Sequence, residues 1–133
     1  MQKILLAGSD FRLLGTRAAV LGRTGASVVC CSATEARMIL EGERFDLVVL
    51  CHTLLEQEVG EMTHSIHRLW PKTRILHVVS DIAQERFYDG IELDATSSAE
   101  PKHLVRRTTE LLESLPNHRI AETAGGVRRQ EAL

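Results

Sequence analysis

The stretch FDLVVLC, residues Phe45–Cys51, contains four apolar residues in unbroken succession from Leu47 to Leu50. A short apolar run rich in β-branched residues predicts a strand that is buried on both faces. Strands of this kind belong in the interior of a parallel sheet whose two faces are covered by helices. The segments on either side of it are therefore expected to alternate between strands and helices.

The flanking sequence has this alternation. Further strands are predicted at Lys3–Ala7, Ser27–Cys31, Arg74–Val79 and Ile91–Thr96. Helical spacing of apolar residues predicts helices capped by Asp10, capped by Thr34, over Val59–Leu69, over Asp81–Gly90 and over Pro101–Leu115. This order implies an α/β fold with a single doubly wound five-stranded parallel sheet and helices on both faces. For one domain of this size, the expected strand order is the flavodoxin-like 2-1-3-4-5.

Composition restricts the class of protein. The 133 residues include 16 Lys and Arg against 18 Asp and Glu, a net charge of -2, which gives no argument for nucleic-acid binding. No apolar run reaches the length of a membrane span, and the first strand is too short for a signal peptide. Cys30, Cys31 and Cys51 have no paired spacing, so we expect buried thiols in a reducing cytoplasm.

The domain is expected to span residues 1–116. Residues 117–133 contain too few apolar groups to offset the entropy lost on ordering, which predicts a flexible C-terminal tail.

Three features together point to one family of α/β domains. The chain has a first strand at Lys3–Ala7, a first helix bracketed by Gly8 and Gly25, and an apolar third strand at Phe45–Leu50. In these features residues 3–115 resemble response-regulator receiver domains. In receivers an aspartate at the end of the third strand accepts a phosphoryl group, and an acidic pair after the first strand holds Mg²⁺. A Thr or Ser after the fourth strand and a Lys after the fifth bind the phosphoryl oxygens.

This chemistry has clear requirements that the sequence does not meet. Mg²⁺ prefers hard oxygen ligands, and a transferring phosphoryl group needs cationic stabilisation. The acceptor position falls on Cys51, and the acidic-pair positions fall on Gly8 and Ser9. The hydroxyl position falls on Val79 or Ser80, and the lysine position falls on Ser97 or Ser98. We therefore expect a pseudo-receiver that retains the fold but has no catalytic residue, metal or cofactor.

The resemblance also implies a surface for a protein partner. Receivers generally signal through the face built from the helix after the fourth strand, the fifth strand and the last helix. Here that face would present Arg86, Phe87, Tyr88, Lys102, His103, Arg106 and Arg107. Aromatic residues beside arginines are typical of interface hot spots. We expect signal transduction through an unidentified protein partner or a homodimer, with no role for nucleic acid or membrane.

Two other classes of function stay open. A thiol-based redox sensor or cysteine-dependent enzyme could use Cys51 or Cys31, and Cys31–Arg37 has the cysteine-x5-arginine spacing of cysteine phosphatases. An atypical regulator could respond to a small anion near Gly8–Asp10, at a strand–helix junction.

The sequence also contains arguments against the thiol functions. No cation adjacent to Cys51 in the sequence would lower the pKa of its thiol. His52 follows Cys51, but successive strand residues point to opposite faces, which disfavours a Cys–His pair. Glu35 inside the phosphatase-like loop would repel phosphate.

Overall fold

The computed structural model describes residues 1–79 and 94–113. Its strands are β1 (Lys3–Ala7), β2 (Ser27–Cys31), β3 (Leu47–Leu50), β4 (Arg74–Val79) and β5 (Ala95–Ser98). Its helices are α1 (Phe11–Leu21), α2 (Ala33–Gly42), α3 (Glu56–Leu69) and α4 (Pro101–Glu113), with a 3₁₀ turn at Gly22–Thr24. No helix within these two ranges is long and apolar enough to cross a membrane.

The strands form one parallel sheet of order β2-β1-β3-β4-β5, which confirms the predicted architecture and strand order. All four residues of β3 are buried, as its unbroken apolar run predicted. β2 lies at one edge and is largely exposed, because only β1 pairs with it. β5 lies at the opposite edge.

Two apolar layers cover the faces of the sheet. Successive residues of β1 point to opposite sides, so Leu5 packs in the layer with α2 and α3, and Leu6 packs in the layer with α1 and α4. Met62 and Ile66 of α3 fill the first layer, and Leu104 of α4 is fully buried in the second. Each such side chain contributes about 1.5–3 kcal/mol through removal from water.

The helix caps agree with the sequence prediction in one case and differ in the other. The Asp10 carboxylate accepts hydrogen bonds from the backbone N–H groups at the start of α1, as predicted. The cap of α2 is Ser32, so the prediction of Thr34 was wrong. Ser32 Oγ accepts from Glu35 N at 3.1 Å, and Glu35 Oε1 accepts from Ser32 N at 2.9 Å. This reciprocal capping box starts the helix directly after β2 and leaves Thr34 inside the first turn.

Two further predictions about strands are corrected. The fifth strand was predicted at Ile91–Thr96, but β5 comprises Ala95–Ser98 and pairs with β4 from Leu76 to Val79. β5 is rich in serine and alanine and has no apolar pattern of its own. The prediction therefore placed the strand too early in the sequence. Cys30 was expected to be buried but is exposed, because β2 is an edge strand.

Several predictions lie outside the described residues, and they are the helix Asp81–Gly90, Leu115 of the last helix, the tail 117–133, Ser80, Arg86, Phe87 and Tyr88.

Candidate functional site

The loops that follow β1 and β3 meet at the carboxyl edge of the sheet. Cys51 N donates to Ala7 O at 2.9 Å, which continues the β1–β3 pairing one residue beyond the strands. Ser9 N donates to Thr53 Oγ1 at 3.0 Å, and Ser9 Oγ donates to Thr53 O at 2.9 Å. The structure therefore brings together Cys51, Gly8 and Ser9, which the receiver resemblance placed at the acceptor and acidic-pair positions.

Gly8 is closely packed against its neighbours. A Cβ atom on Gly8 would lie 3.1 Å from each of three atoms: Cys51 Cβ, Leu14 Cδ2 and Thr53 Oγ1. Two of these atoms lie in the loop after β3 and one lies on α1, so no single rotation of one side chain relieves all three contacts. A side chain at this position would require these neighbours to shift by a few tenths of an ångström.

A buried cation, Arg17, reaches this edge from α1. The position is on the inner face of the helix, and the side chain is only 6% exposed. Side chains on a helix lean toward its N-terminus, which directs Arg17 to the carboxyl edge of the sheet. Arg17 Nη2 lies 3.2 Å from His52 Nδ1. Among the described residues, Arg17 Nη1 has no hydrogen-bond partner.

The sequence prediction missed Arg17. The residues adjacent to Cys51 in the sequence include no cation, whereas Arg17 reaches the thiol from a different element, α1. A signal was present, because Arg17 lies between Leu14 and Leu21 at helical spacing on an otherwise apolar face. A charged residue on an apolar helix face indicates that the end of its side chain makes a specific polar contact.

Burial keeps the thiols of Cys51 and Cys31 protonated. Removal from water raises the pKa of the Cys51 thiol, and hydrogen bonding with Arg17 and its positive charge only partly oppose this. Burial also raises the pKa of Cys31 to about 12, with smaller contributions from Glu35 and the other two cysteines. Both side chains are at most 2% exposed. Because reactivity requires an accessible thiolate, this geometry argues against thiol chemistry at either residue.

The phosphatase-like loop is occupied by its own helix cap. An anion-binding loop needs free backbone N–H groups around the anion. Here the N–H of Ser32 bonds the Glu35 carboxylate, and the N–H of Glu35 bonds the Ser32 hydroxyl. The carboxylate of Glu35 thus takes the place that an anion would need.

His52 is the neutral partner of Arg17. A guanidinium can only donate, so Nδ1 must accept and the ring proton lies on Nε2. Burial lowers the pKa of His52, the charge of Arg17 lowers it further, and Asp10 partly opposes them. β3 ends at Leu50, so strand alternation does not apply to Cys51 and His52, and Arg17 adjoins both.

The hydroxyl groups at the β5 end serve local contacts. Val79 ends β4 and is 4% exposed, so it presents no polar group at the hydroxyl position. Ser97 Oγ donates to Ser98 O at 2.8 Å. Ser98 N and Ser98 Oγ lie 3.3 Å and 2.9 Å from His103 Nδ1.

The described half of the predicted interface lies on α4. Lys102 and Arg106 are exposed, and His103 and Arg107 are half-buried. Arg107 Nε donates to Thr96 O at 3.3 Å, and its Nη1 lies 3.7 Å from Glu110 Oε1. Lys102 and Arg106 are thus the cations of this helix most available to a partner. No group of three or more metal-ligating side chains occurs within residues 1–79 and 94–113.

Comparison with solved structures places this geometry in a known fold. A response regulator receiver domain protein from Methanospirillum hungatei aligns with a TM-score of 0.72 and 22% identity, covering 86% of this chain and 95% of that one. The receiver domain of a Pseudomonas aeruginosa sensor histidine kinase aligns with a TM-score of 0.73 and 16% identity, covering 85% and 98%. The chain has the receiver fold.

The same fold also occurs in a protein with a different kind of name. A structure described as a pilus assembly-related protein from Burkholderia pseudomallei aligns with a TM-score of 0.72 and 20% identity, covering 87% of this chain and 92% of that one. In sequence, the chain matches none of the protein-family models and none of the curated proteins compared with it. The histidine kinase receiver holds a magnesium ion in its active-site cleft. This chain, with the same fold, has Gly8 and Ser9 after β1.

Gly8→Ala should destabilise the protein by about 1–3 kcal/mol, because the added methyl group overpacks the junction of three elements. Gly15→Ala is the matched control. A Cβ on Gly15 has nothing within 4 Å, and alanine in a helix interior should add about 0.5–1 kcal/mol. Urea unfolding of the two variants and the parent measures both changes. A Gly8→Ala protein as stable as the parent would show that the junction is not tightly packed.

The His52–Arg17 contact should make stability depend on pH. The pKa of His52 is lower in the folded than in the unfolded protein, so the unfolded chain binds more protons between the two values. The stabilisation is therefore complete above the ordinary histidine pKa of about 6.5 and is lost as pH falls through the lowered value.

His52→Asn tests this dependence, because Asn Oδ1 can replace Nδ1 as acceptor for Arg17 but does not titrate. The free energy of unfolding of the parent should fall relative to that of the variant between about pH 7.5 and about pH 5. Urea unfolding at several pH values measures the difference. A difference that stays constant with pH would contradict the assigned role of His52.

Proposed function

We propose that this chain is a pseudo-receiver, a signalling module that acts by protein–protein interaction without aspartyl phosphorylation and without enzymatic activity. The observation that carries the proposal is the filled junction at Gly8, Cys51 and Thr53, with the Arg17 guanidinium beside it. The receiver fold supports a role in signal transduction.

The acceptor and acidic-pair positions at this edge offer no carboxylate to a magnesium ion. A divalent cation needs carboxylate or other hard oxygen ligands. Gly8 has no side chain, the Ser9 hydroxyl donates to Thr53 O, and Cys51 is a neutral thiol. A second cation would also be repelled by Arg17. The protein thus has a buried guanidinium beside Cys51, the residue at the acceptor position that the resemblance implies.

Use of the receiver fold in other kinds of protein supports a role in binding. Two similar structures, from Burkholderia pseudomallei and Burkholderia thailandensis, carry pilus assembly in their names. The fold is therefore not confined to proteins named as response regulators. In this proposal the chain likewise uses the receiver fold as a scaffold that presents a binding surface to another protein.

The surface proposed for the partner includes the exposed cations of α4. Lys102 and Arg106 project from this helix beside the half-buried His103 and Arg107. A protein partner with acidic side chains would complement them, and such charges act mainly on association rate and orientation. Residues 1–116 form the module in this proposal, and its three free thiols favour the cytoplasm.

Phosphoryl donors should leave the protein unchanged. Amide NMR spectra recorded with Mg²⁺ and either acetyl phosphate or beryllofluoride should match the spectrum of the untreated protein, whereas an active receiver treated in parallel should shift.

Cys51→Asp should also stay unphosphorylated, because the new carboxylate would pair with Arg17 and has no acidic neighbour at Gly8. Saturable shifts around residues 8–10 and 51–53 of the parent would refute the proposal.

Charge reversal on α4 should weaken partner binding. The double variant Lys102→Glu, Arg106→Glu should retain the fold, since both side chains are exposed, and should recover less partner when the tagged protein is purified from its native cells. Arg68→Glu, also exposed but on α3, is the matched control and should recover as much partner as the parent. Equal recovery by the double variant and the control would place the interface elsewhere.

A further inference from the structure

Within the described residues, the edge strand β2 pairs only with β1, so alternate residues of β2 have backbone groups without a strand partner. Its register with β1 pairs Ser27 with Lys3 and Cys31 with Ala7. Ser27 N donates to Gln2 O at 2.9 Å, and Cys31 O accepts from Gly8 N at 3.1 Å. Ser27, Val29 and Cys31 therefore direct their backbone groups toward β1. The N–H and C=O groups of the two intervening residues, Val28 and Cys30, point out of the sheet.

Within the described residues, the β2 edge lacks the charges, proline and bulges that protect many exposed strands. Natural edge strands are guarded by charged side chains, proline or bulges. Residues 24–34 contain no charged residue and no proline, and β2 pairs with β1 in continuous register. Val29 is 37% exposed at the centre of the strand.

The helices beside β2 extend the apolar edge. On α1, Phe11, Gly15 and Ala18 lie at helical spacing on one side, next to Leu14, whose carbonyl contacts Cys30. Phe11 is 78% exposed, and a Cβ on Gly15 would meet nothing within 4 Å. On the other face of the sheet, Met38 of α2 is 67% exposed.

We propose that a second copy of this chain binds at the β2 edge, with the two β2 strands antiparallel about a twofold axis at Val29. In this register Val28 of one copy opposes Cys30 of the other, and each such pair exchanges two N–H···O=C bonds. The two pairs satisfy all the outward groups of Val28 and Cys30. Val29 faces its own counterpart as the pair without hydrogen bonds.

Charge and symmetry select a second copy as the occupant. In a twofold interface, each residue near the axis meets its own counterpart, so any charge there is repelled by itself. The uncharged run of residues 24–34 avoids this penalty at the place where the axis passes. An acidic or basic partner would find no complementary charge on this run. The small residues Gly15 and Ala18 allow the two α1 helices to approach closely.

This interface is independent of the proposed partner surface. β2 and β5 lie at opposite edges of the sheet, and α4 follows β5. A dimer through β2 leaves Lys102 and Arg106 exposed on each copy. Failure of the dimer therefore leaves the proposed signalling function standing, and the reverse also holds.

Sedimentation equilibrium of the full chain tests the proposal. The parent should form a dimer as its concentration rises through the micromolar range, and Val29→Lys should stay monomeric because the two lysines would face each other. Leu55→Lys is the matched control, since Leu55 is also an exposed apolar residue, at 68%, but lies at the start of α3. A monomeric parent overturns the proposal, as does a Val29→Lys protein that dimerises like the control.

Disulfide cross-linking tests the register and does not depend on the lysine variant. Cα atoms of a non-hydrogen-bonded antiparallel pair lie about 4.5 Å apart, within the range that a disulfide spans. Val29→Cys in a Cys30→Ser background should give a covalent dimer under mild oxidation, and Leu55→Cys in the same background should not. Equal cross-linking of the two variants overturns the proposal. So does a dimer abolished by Arg106→Glu but retained in Val29→Lys.

Discussion

The pairing of β1 with β3 determines what the carboxyl edge of this sheet can do. Both strands are apolar on both faces, so they hold central positions in the sheet, and their ends converge on one small region. At that point Gly8 packs closely against Cys51 and Thr53, and a Cβ atom on Gly8 would lie 3.1 Å from an atom of each. Ser9 then binds Thr53 through both its N–H and its hydroxyl. The two loops are therefore joined by packing and by hydrogen bonds.

Arg17 gives this edge of the sheet a buried charge. A buried guanidinium costs free energy unless polar groups meet it, and none of the ion pairs within the described residues includes Arg17. His52 meets part of this need, because its ring remains neutral and accepts a hydrogen bond. The thiol of Cys51 adds a weaker, polarisable contact. The cation and its neutral partners form a unit that depends on α1 keeping its position over the sheet.

The strands could be predicted from the sequence where burial dictates their composition. β1, β2 and β4 have the predicted bounds, and the central position of β3 follows from its unbroken apolar run. β5 was placed too early because a serine-rich strand has no apolar pattern of its own, and only its pairing with β4 defines it. The cap of α2 was misplaced by two residues because both Ser32 and Thr34 are good caps, and the reciprocal bond with Glu35 decides between them.

The residues of the site at strand ends could be predicted from the sequence, whereas Arg17 could not. Cys51, Gly8 and Ser9 lie at strand ends, and a parallel sheet brings its carboxyl ends together whatever the side chains are. Arg17 reaches the same place through a long side chain from the middle of a helix, and no local pattern encodes where such a chain ends. Its position on an apolar face was the only sign, and that sign identifies an unusual residue without identifying its partner.

The two edges of the sheet differ in charge, and this difference separates two kinds of contact. On the β5 side, α4 presents Lys102 and Arg106, which would repel a symmetric copy and attract an acidic partner. On the β2 side, the residues from Thr24 to Thr34 carry no charge, and the backbone itself supplies the hydrogen bonds. A symmetric contact requires a surface without like charges that would face each other across the twofold axis. A contact with a different protein gains specificity from complementary charge. This charge pattern is the basis for proposing self-association through β2 and partner recognition through α4, two contacts that one copy of the fold can make at once.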